Sequence, residues 1–245
     1  MRRSLAALAC LGLLAVPLRP PVPAAAGADG CTAPVLVSST VAPPTLVVGT
    51  ASPTGFVFTA SVRKNGCTVE QVDTEVVTAT GAASGFRLDE QETIDGVTTY
   101  DVGIRVDPGA VVNAEAGAWT STVSVTSDST TTDGGPRLRV VRAARLSSSA
   151  SPEPVRAGRT LTVRGRLTRA DWSTLGYAGY ARRPVELQFR TADGSYRTVK
   201  DVASGSRGAV RASVRATQDG CYRFAFRGSS TTARVVSRGD CVGVR

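Results

Sequence analysis

The stretch "TLTVRGRL", residues 160–167, decides the fold class because apolar and polar side chains alternate along it. Leu161, Val163 and Leu167 share one side of this alternation, while two threonines and two arginines share the other. A period of two is typical of a β-strand that has one face buried and the other in solvent. The same pattern recurs downstream at residues 185–189, 210–214, 222–226 and 242–244. Turn-forming stretches that are rich in glycine and aspartate separate these segments.

The rest of the chain has the same texture, and no long stretch has the period of an α-helix. Each half contains about seven strand-like segments, one of them predicted at residues 85–93, and seven is the strand number of an immunoglobulin-like sandwich. We therefore predict an all-β protein with two tandem immunoglobulin-like β-sandwich domains after a signal peptide. The predicted boundaries are 1–28 for the signal peptide, 29–143 for the first sandwich and 144–245 for the second. Almost no linker separates the two, so their relative orientation is expected to be restricted.

The first 28 residues have the layout of a secretory signal. Arg2 and Arg3 precede an apolar run at residues 5–16, which is shorter than the roughly 20 residues that span a bilayer. Ala26, Gly27 and Ala28 then supply the small residues that a signal peptidase needs. The mature chain has no second apolar span, so we expect a secreted, extracellular protein that contacts the cell wall non-covalently, if at all.

Four cysteines remain after cleavage, and an even number in an exported chain indicates disulfides. Four cysteines allow three pairings, of which proximity in sequence and the domain division favour Cys31–Cys67 and Cys221–Cys241. The last two lie on the polar side of their predicted strands. A bridge between them is geometrically plausible if those strands are neighbours.

Charge is divided unevenly along the chain, which is +9 as a whole. Residues 29–143 carry a net charge of −6 and residues 144–245 a net charge of +12. A basic exported domain suits partners such as anionic wall polymers, acidic glycans, nucleic acid or lipid head groups. The alternative interpretation of the charge division is that the two halves simply neutralise each other. The excess of arginine over lysine is a separate feature, and a GC-rich genome alone explains it.

Four arginines of the second half are predicted to share one exposed surface. The second and fifth strands of an immunoglobulin-like sandwich are neighbours, and we assign them to residues 161–167 and 209–216. The side opposite the core then collects Arg164, Arg166, Arg211 and Arg215. We expect weak, salt-sensitive binding of anionic wall polymers or glycans, without specific recognition of nucleic acid. The alternative is an ordinary solvated surface, and the oligomeric state is not predicted.

Catalysis is disfavoured because the chain has no histidine at all. This excludes histidine general bases, Ser–His–Asp and Cys–His systems and histidine metal sites. The segment Ser61-Val62-Arg63-Lys64 matches an S-x-x-K pattern, but the two further motifs of penicillin-recognising enzymes are missing. We therefore predict a non-enzymatic protein without a required cofactor.

An acidic cluster in the first half is the one candidate metal site. Asp89, Glu90, Glu92 and Asp95 offer the hard oxygen ligands that Ca²⁺ prefers, although the spacing of an EF-hand is absent. A calcium-binding module is therefore the alternative function. A solvated strand face is the more favoured interpretation of these carboxylates.

The segment "DWSTLGYAGYA", residues 171–181, concentrates aromatic side chains in a chain with only 5% aromatic residues. Trp172, Tyr177 and Tyr180 are either a recognition loop that stacks on sugars or bases, or a plug over the open end of the second core. Gly176 and Gly179 are expected to interrupt regular structure here. We favour the plug, because aromatic residues alternate with glycine and alanine rather than with polar residues.

The second half resembles secreted immunoglobulin-like proteins of streptomycetes and related actinobacteria, some of which are labelled calcium-binding protein. The resemblance lies in "SPEPVRAGRTLTVRGRLTRADW" (151–172), "YAGYARRPVELQFR" (177–190) and "DGCYRFAFRG" (219–228). The first half resembles the partner sandwich of that family in texture only. The resemblance implies a β-sandwich fold. It supplies no catalytic residue, and its calcium label cannot be assigned to a ligand motif in this sequence.

Overall fold

The computed structural model describes residues 30–245, and nearly all of its regular structure is β. The predicted signal peptide, residues 1–28, lies outside the described residues. Helical structure within 30–245 consists of two three-residue 3₁₀ turns, Asn113–Glu115 and Ser206–Gly208. In this part of the chain, no helix has the length and apolar character needed to cross a membrane.

The first half forms ten strands within the described residues. They are β1 (Val35–Ala42), β2 (Thr45–Val48), β3 (Thr54–Arg63), β4 (Gln71–Val77), β5 (Ala83–Arg87), β6 (Asp89–Ile94), β7 (Val97–Val106), β8 (Gly117–Thr126), β9 (Thr130–Gly134) and β10 (Leu138–Arg142).

The strand order of the first half is that of an immunoglobulin domain. One sheet has the order β1-β3-β7-β6, which corresponds to strands A-B-E-D. The other has the order β2-β10-β8-β4-β5, with β9 also paired to β8, and contains the G-F-C-C′ arrangement. Strand β2 runs parallel to β10, whereas the other paired strands of this half are antiparallel. The predicted immunoglobulin-like, all-β fold is confirmed.

Alternating sequence explains why β3 lies at the centre of its sheet. Phe56, Phe58, Ala60 and Val62 all point into the core and are at most 3% exposed. The strand pairs with β7 over ten consecutive positions, from Thr54 opposite Val106 to Arg63 opposite Val97. This register places these four side chains on one face, and Val57, which is exposed, is the apolar residue on the other.

One predicted strand of the first half is in fact two strands in different sheets. The prediction at residues 85–93 is wrong in its continuity, because β5 ends at Arg87 and β6 begins at Asp89. Strand β5 pairs with β4, while β6 pairs with β7 in the opposite sheet. Leu88, which is 4% exposed, lies at the crossing between the sheets and packs into the core there.

The second half also forms ten strands within the described residues. They are β11 (Ala144–Leu146), β12 (Ser149–Ser151), β13 (Thr160–Asp171), β14 (Gly176–Gly179), β15 (Pro184–Arg190), β16 (Arg197–Ala203), β17 (Ala209–Arg215), β18 (Gly220–Phe226), β19 (Val235–Val236) and β20 (Asp240–Val242).

Two sheets enclose the core of the second half as well. Strand β13 pairs with β11, β12, β14 and β17 in one sheet. The other sheet has the order β16-β15-β18, and β19 and β20 pair with the free side of β18. The predicted neighbour relation of β13 and β17 is confirmed, with Leu161 opposite Val214 and Arg164 opposite Arg211.

The segment that was expected to be irregular around Gly176 and Gly179 is a strand, so that expectation is wrong. Strand β14 pairs with the end of β13, where Gly179 lies opposite Thr168 and Gly176 opposite Asp171. A side chain at Gly179 would collide with the backbone of Arg207. Glycine therefore allows another segment to approach the strand closely, instead of breaking it.

The junction between the halves is a single residue, since only Ala143 separates β10 from β11. Each half has its own buried apolar cluster, but Ala170 and Trp172 of the second half belong to the cluster of the first. The boundary at residue 143 therefore separates the sheets of the two halves, but two residues beyond it still pack into the core of the first half. The division into two domains stays a prediction.

Both predicted disulfides are present in the structure, Cys31–Cys67 and Cys221–Cys241. The first joins the start of the described chain to the segment that follows β3, with the Cα atoms 5.0 Å apart. The second joins directly opposed positions on β18 and β20. Each bridge lies within one half of the chain, as proximity in sequence predicted.

Candidate anion-binding surface

The four arginines predicted to share a surface lie on the exposed side of β13 and β17, and we call them the arginine face. Arg164 is directly opposite Arg211, Arg166 is opposite Ala209, and Arg215 is opposite Thr160. All four side chains are exposed. The side chains that alternate with them, such as Leu161 and Val163, are completely buried in the second core.

Two members of the arginine face are partly oriented by backbone carbonyls. Arg166 Nε donates to the Arg207 carbonyl at 3.0 Å, and Arg215 Nη1 donates to the Gly158 carbonyl at 3.1 Å. A guanidinium group has five N–H donors, so one bond of this kind orients the group while other donors remain available for a ligand.

Acidic side chains do not neutralise the arginine face. Three ion pairs occur among residues 30–245, and they join Lys64 to Glu90, Arg87 to Asp73 and Arg227 to Glu186. None of them involves the arginine face. The four arginines are therefore exposed without an ion-pair partner, in a half whose net charge is +12.

Trp172 lies against the first half, and not over the open end of the second core as the plug interpretation expected. The side chain is 2% exposed and belongs to the apolar cluster of the first half. Its Nε1 donates to the Val48 carbonyl at 3.4 Å, and Val48 lies on β2. The plug interpretation is therefore corrected for Trp172, whose indole fills the junction between the two halves. Tyr180, by contrast, does pack into the second core.

The two tyrosines of the same segment have ring faces covered by arginine. The guanidinium carbon of Arg145 lies 3.6 Å from the ring centre of Tyr177, which also packs against the first core. Arg169 and Arg183 lie 4.1 and 4.5 Å from the ring centre of Tyr180, which is only 4% exposed. Cation–π contacts of this kind stabilise the segment and occupy the surfaces that would stack on a sugar or base.

The acidic candidates for calcium lie along β6 and its following turn, and all four are exposed. Glu90 accepts hydrogen bonds from Lys64 Nζ at 2.9 Å and from the Tyr100 hydroxyl at 3.1 Å. The hydrogen bond from Lys64 lowers the pKa of Glu90. Asp95 is in the left-handed region, φ 49°, of an Asp-Gly turn.

The structure does not bring Asp89, Glu90, Glu92 and Asp95 together as a ligand set. Successive side chains of a strand point to opposite faces, so neighbours along β6 diverge. Within residues 30–245 no three acidic or cysteine side chains form a group that could hold a metal ion. Calcium binding stays a prediction from the sequence.

A polar network at the junction was missed by sequence reasoning. The side-chain amide of Asn113 donates to Asp171 Oδ1 at 2.6 Å and to Ser173 Oγ at 3.1 Å, and its oxygen accepts from the Trp172 amide at 3.0 Å. Arg142 is also buried, and its Nε donates to the Ala170 carbonyl at 2.6 Å. Burial lowers the pKa of Arg142. These partners are far apart in sequence, so no local pattern indicates them.

Comparisons with known proteins add similarity of fold only. No family model matches this sequence, and no similar sequence was found among curated proteins. The adhesin InvE of Yersinia pseudotuberculosis aligns over 83% of this chain at 14% identity, with a TM-score of 0.29. A DUF4785 family protein of Legionella pneumophila aligns over 80% at 12% identity, with a TM-score of 0.39. Murine CEACAM1b aligns over 85% at 12% identity, with a TM-score of 0.37.

The alignments span 58% of the InvE chain, 56% of the Legionella chain and 99% of the CEACAM1b chain. Identities and TM-scores are low in all three. The assignment of the fold therefore rests on the strand order of this protein itself.

Proposed function

We propose that this protein is an exported, non-enzymatic module that binds anionic polymers of the cell envelope through the arginine face of its second half. The observation that supports this function is the cross-strand pair Arg164–Arg211, flanked on the same exposed surface by Arg166 and Arg215. Export is supported by the signal-like start of the sequence and by the two disulfides.

Like charges directly opposite each other on neighbouring strands destabilise a sheet. The repulsion between Arg164 and Arg211 is not relieved by the acidic residues of the three ion pairs, because those pair with other residues. An anionic ligand that bridges Arg164 and Arg211 would remove this repulsion. Guanidinium groups form bidentate, charge-assisted hydrogen bonds with phosphate and carboxylate oxygens. Because the face is open to solvent, binding is expected to be weak and to decrease as salt rises.

A non-enzymatic role agrees with the chemistry of the sequence. The chain has no histidine, and all four cysteines of the described residues are joined in disulfides. The usual neutral-pH general base and the thiolate nucleophile are therefore both missing from this part of the chain.

Retention on purified cell wall tests the proposal. The parent is expected to be retained at low salt and released as salt rises. The variant R164Q/R166Q/R211Q/R215Q should melt like the parent and no longer be retained. A matched control, R182Q/R197Q/R234Q/R238Q, removes the same charge from exposed arginines of the same half and should still be retained.

Equal retention of the arginine-face variant and the parent would overturn the proposal. Retention that does not weaken with salt would overturn it as well. Equal loss in the two variants would show that net charge alone is responsible, and the arginine face would then have no special role.

A further inference from the structure

An open cavity of about 830 Å³ lies at one end of the second half, beside the arginine face. Four arginines line it: Arg156, Arg159, Arg215 and Arg245. The first two belong to the turn between β12 and β13, Arg215 ends β17, and Arg245 follows β20. Arg215 also belongs to the arginine face, so the cavity and that face are continuous.

Backbone hydrogen bonds hold the three segments that carry these arginines. The Ala157 amide donates to the Arg245 carbonyl at 2.9 Å, and the Arg245 amide donates to the Val155 carbonyl at 2.9 Å. The Gly158 amide donates to the Ala216 carbonyl at 2.7 Å. The side chain of Val155, which is 1% exposed, packs into the second core beneath. The backbone of the cavity is thus set before any ligand arrives, which lowers the entropic cost of binding.

Among the described residues, no acidic side chain lines the cavity. None of its four arginines takes part in the ion pairs found within residues 30–245. Glu153 is exposed and does not line the cavity, and Asp219 Oδ1 accepts the Val244 amide at 2.6 Å. Four arginines that line one cavity attract a ligand with several negative charges more strongly than a single small anion.

We propose that this cavity binds a run of closely spaced phosphoryl groups. The inference deepens the proposed function and rests on it for the anionic nature of the ligand. A tetrahedral phosphoryl group presents oxygens in several directions, so it can be bound at once by guanidinium groups from different segments. A planar carboxylate matches one guanidinium fork. The volume lies within the usual range of about 300–1,000 Å³ for ligand sites and accommodates consecutive groups.

Calorimetric titration with tripolyphosphate tests the proposal directly. The cavity variant R156Q/R159Q/R245Q and the face variant R164Q/R166Q/R211Q remove the same charge, and both keep the shared Arg215. Because charge-assisted hydrogen bonds are lost, the cavity variant should bind at least about tenfold more weakly than the parent. The affinity of the face variant for tripolyphosphate should be within about threefold of the parent's affinity. Its lost charges act on the cavity only over a distance at which salt screens them. Trigalacturonate should bind more weakly than tripolyphosphate.

Each contrary result has a separate meaning. No binding of tripolyphosphate by the parent, or equal weakening in both variants, overturns the cavity site. Equal binding of trigalacturonate overturns the preference for phosphoryl groups. Retention on cell wall, measured with the same two variants, separates this inference from the proposed function. Loss of retention in the face variant, with unchanged tripolyphosphate binding in the cavity variant, would leave the proposed function standing and overturn the cavity site.

Discussion

The side-chain amide of Asn113 donates a hydrogen bond to the carboxylate of Asp171 at 2.6 Å, across 58 positions of sequence. Asn113 lies in a turn of the first half, and Asp171 ends β13 of the second. The oxygen of the same amide accepts the Trp172 N–H at 3.0 Å. One side chain therefore positions the segment that carries the indole into the first core.

Asn113→Ala is expected to destabilise the protein by about 2 kcal/mol, because it leaves partners at the junction without their hydrogen bonds. Urea unfolding measures the change. Ser173→Ala is the matched control, since it removes only the 3.1 Å contact with Asn113, and it should have the smaller effect. If the two variants are equally stable, the network around Asn113 does not hold the halves together.

Acid should weaken the same junction. The hydrogen bond from Asn113 lowers the pKa of Asp171 below its ordinary value. A carboxyl with a lowered folded-state pKa stabilises the fold at pH values above its unfolded-state pKa, and this contribution is lost as pH falls through the lower, folded-state value.

The stability difference between the parent and Asn113→Ala should therefore be largest near neutral pH and shrink below about pH 4. Urea unfolding at a series of pH values from 7 to 2 measures it. Glu90 and Glu186 also have lowered pKa values, but they are common to both proteins and cancel in the difference. A difference that stays constant with pH would contradict this assignment.

Trp172→Ala should destabilise the protein by about 3–5 kcal/mol, as other large aromatic truncations in cores do. The variant retains Trp119, which is buried in the first core, as its one tryptophan. Because Trp172 packs against that core, the fluorescence of Trp119 should report unfolding at a lower urea concentration. Trp172→Phe keeps much of the volume and should have a milder effect. An unchanged Trp119 transition in Trp172→Ala would show that the indole does not support the first half.

Gly208→Ala should be strongly destabilising. Gly208 has φ +77°, and a Cβ there would collide with the Leu167 carbonyl and lie 2.9 Å from the Tyr180 amide. That carbonyl and amide are joined by a 3.0 Å hydrogen bond, which the methyl group would displace. We expect a loss of more than about 2 kcal/mol from strain and displacement together.

The matched control for Gly208→Ala is Gly158→Ala. Gly158 has φ +73°, but no atom lies within 4 Å of its added Cβ. It should lose only the strain of a left-handed residue, about 1 kcal/mol. Thermal melting of both variants compares them, and equal losses would mean that the close approach at Gly208 is unimportant.

Cys221→Ala/Cys241→Ala should reduce the free energy of unfolding by about 3 kcal/mol. In the chain-entropy model, a bridge that closes a loop of this length restricts the unfolded chain by about that amount. The two positions are 20 residues apart in sequence. Urea unfolding of the oxidised parent and of the variant, in which Cys31–Cys67 stays intact, measures the contribution. A variant that unfolds like the oxidised parent would refute it.

Strands were predictable where one face is buried and the other is in solvent, because alternation along the sequence then follows alternation in space. This holds for β3 and β13. It failed at residues 85–93, since a chain that crosses between sheets keeps its β-rich composition while its partners change. It also failed at Gly179, where the sequence shows a missing side chain and does not show the segment that approaches it.

The arginine face was derived from the sequence because it depends on only two regularities, the alternation in β13 and β17 and the neighbour relation of the second and fifth strands. The cavity lined by Arg156, Arg159, Arg215 and Arg245 was not predicted. Its arginines come from a turn, a strand end and the last described residue, and no periodicity links such positions.

The sequence by itself determined the β-rich fold and the absence of histidine chemistry, and it favoured the pairing of cysteines close in the chain. Each of these depends on composition or short-range pattern. Only the tertiary structure decided that Trp172 supports the first half and that arginines cover the rings of Tyr177 and Tyr180. It alone also showed that four arginines surround one cavity. The physical reason is that these relations join residues brought together by chain folding, and the free energy of such contacts depends on distances that no local pattern records.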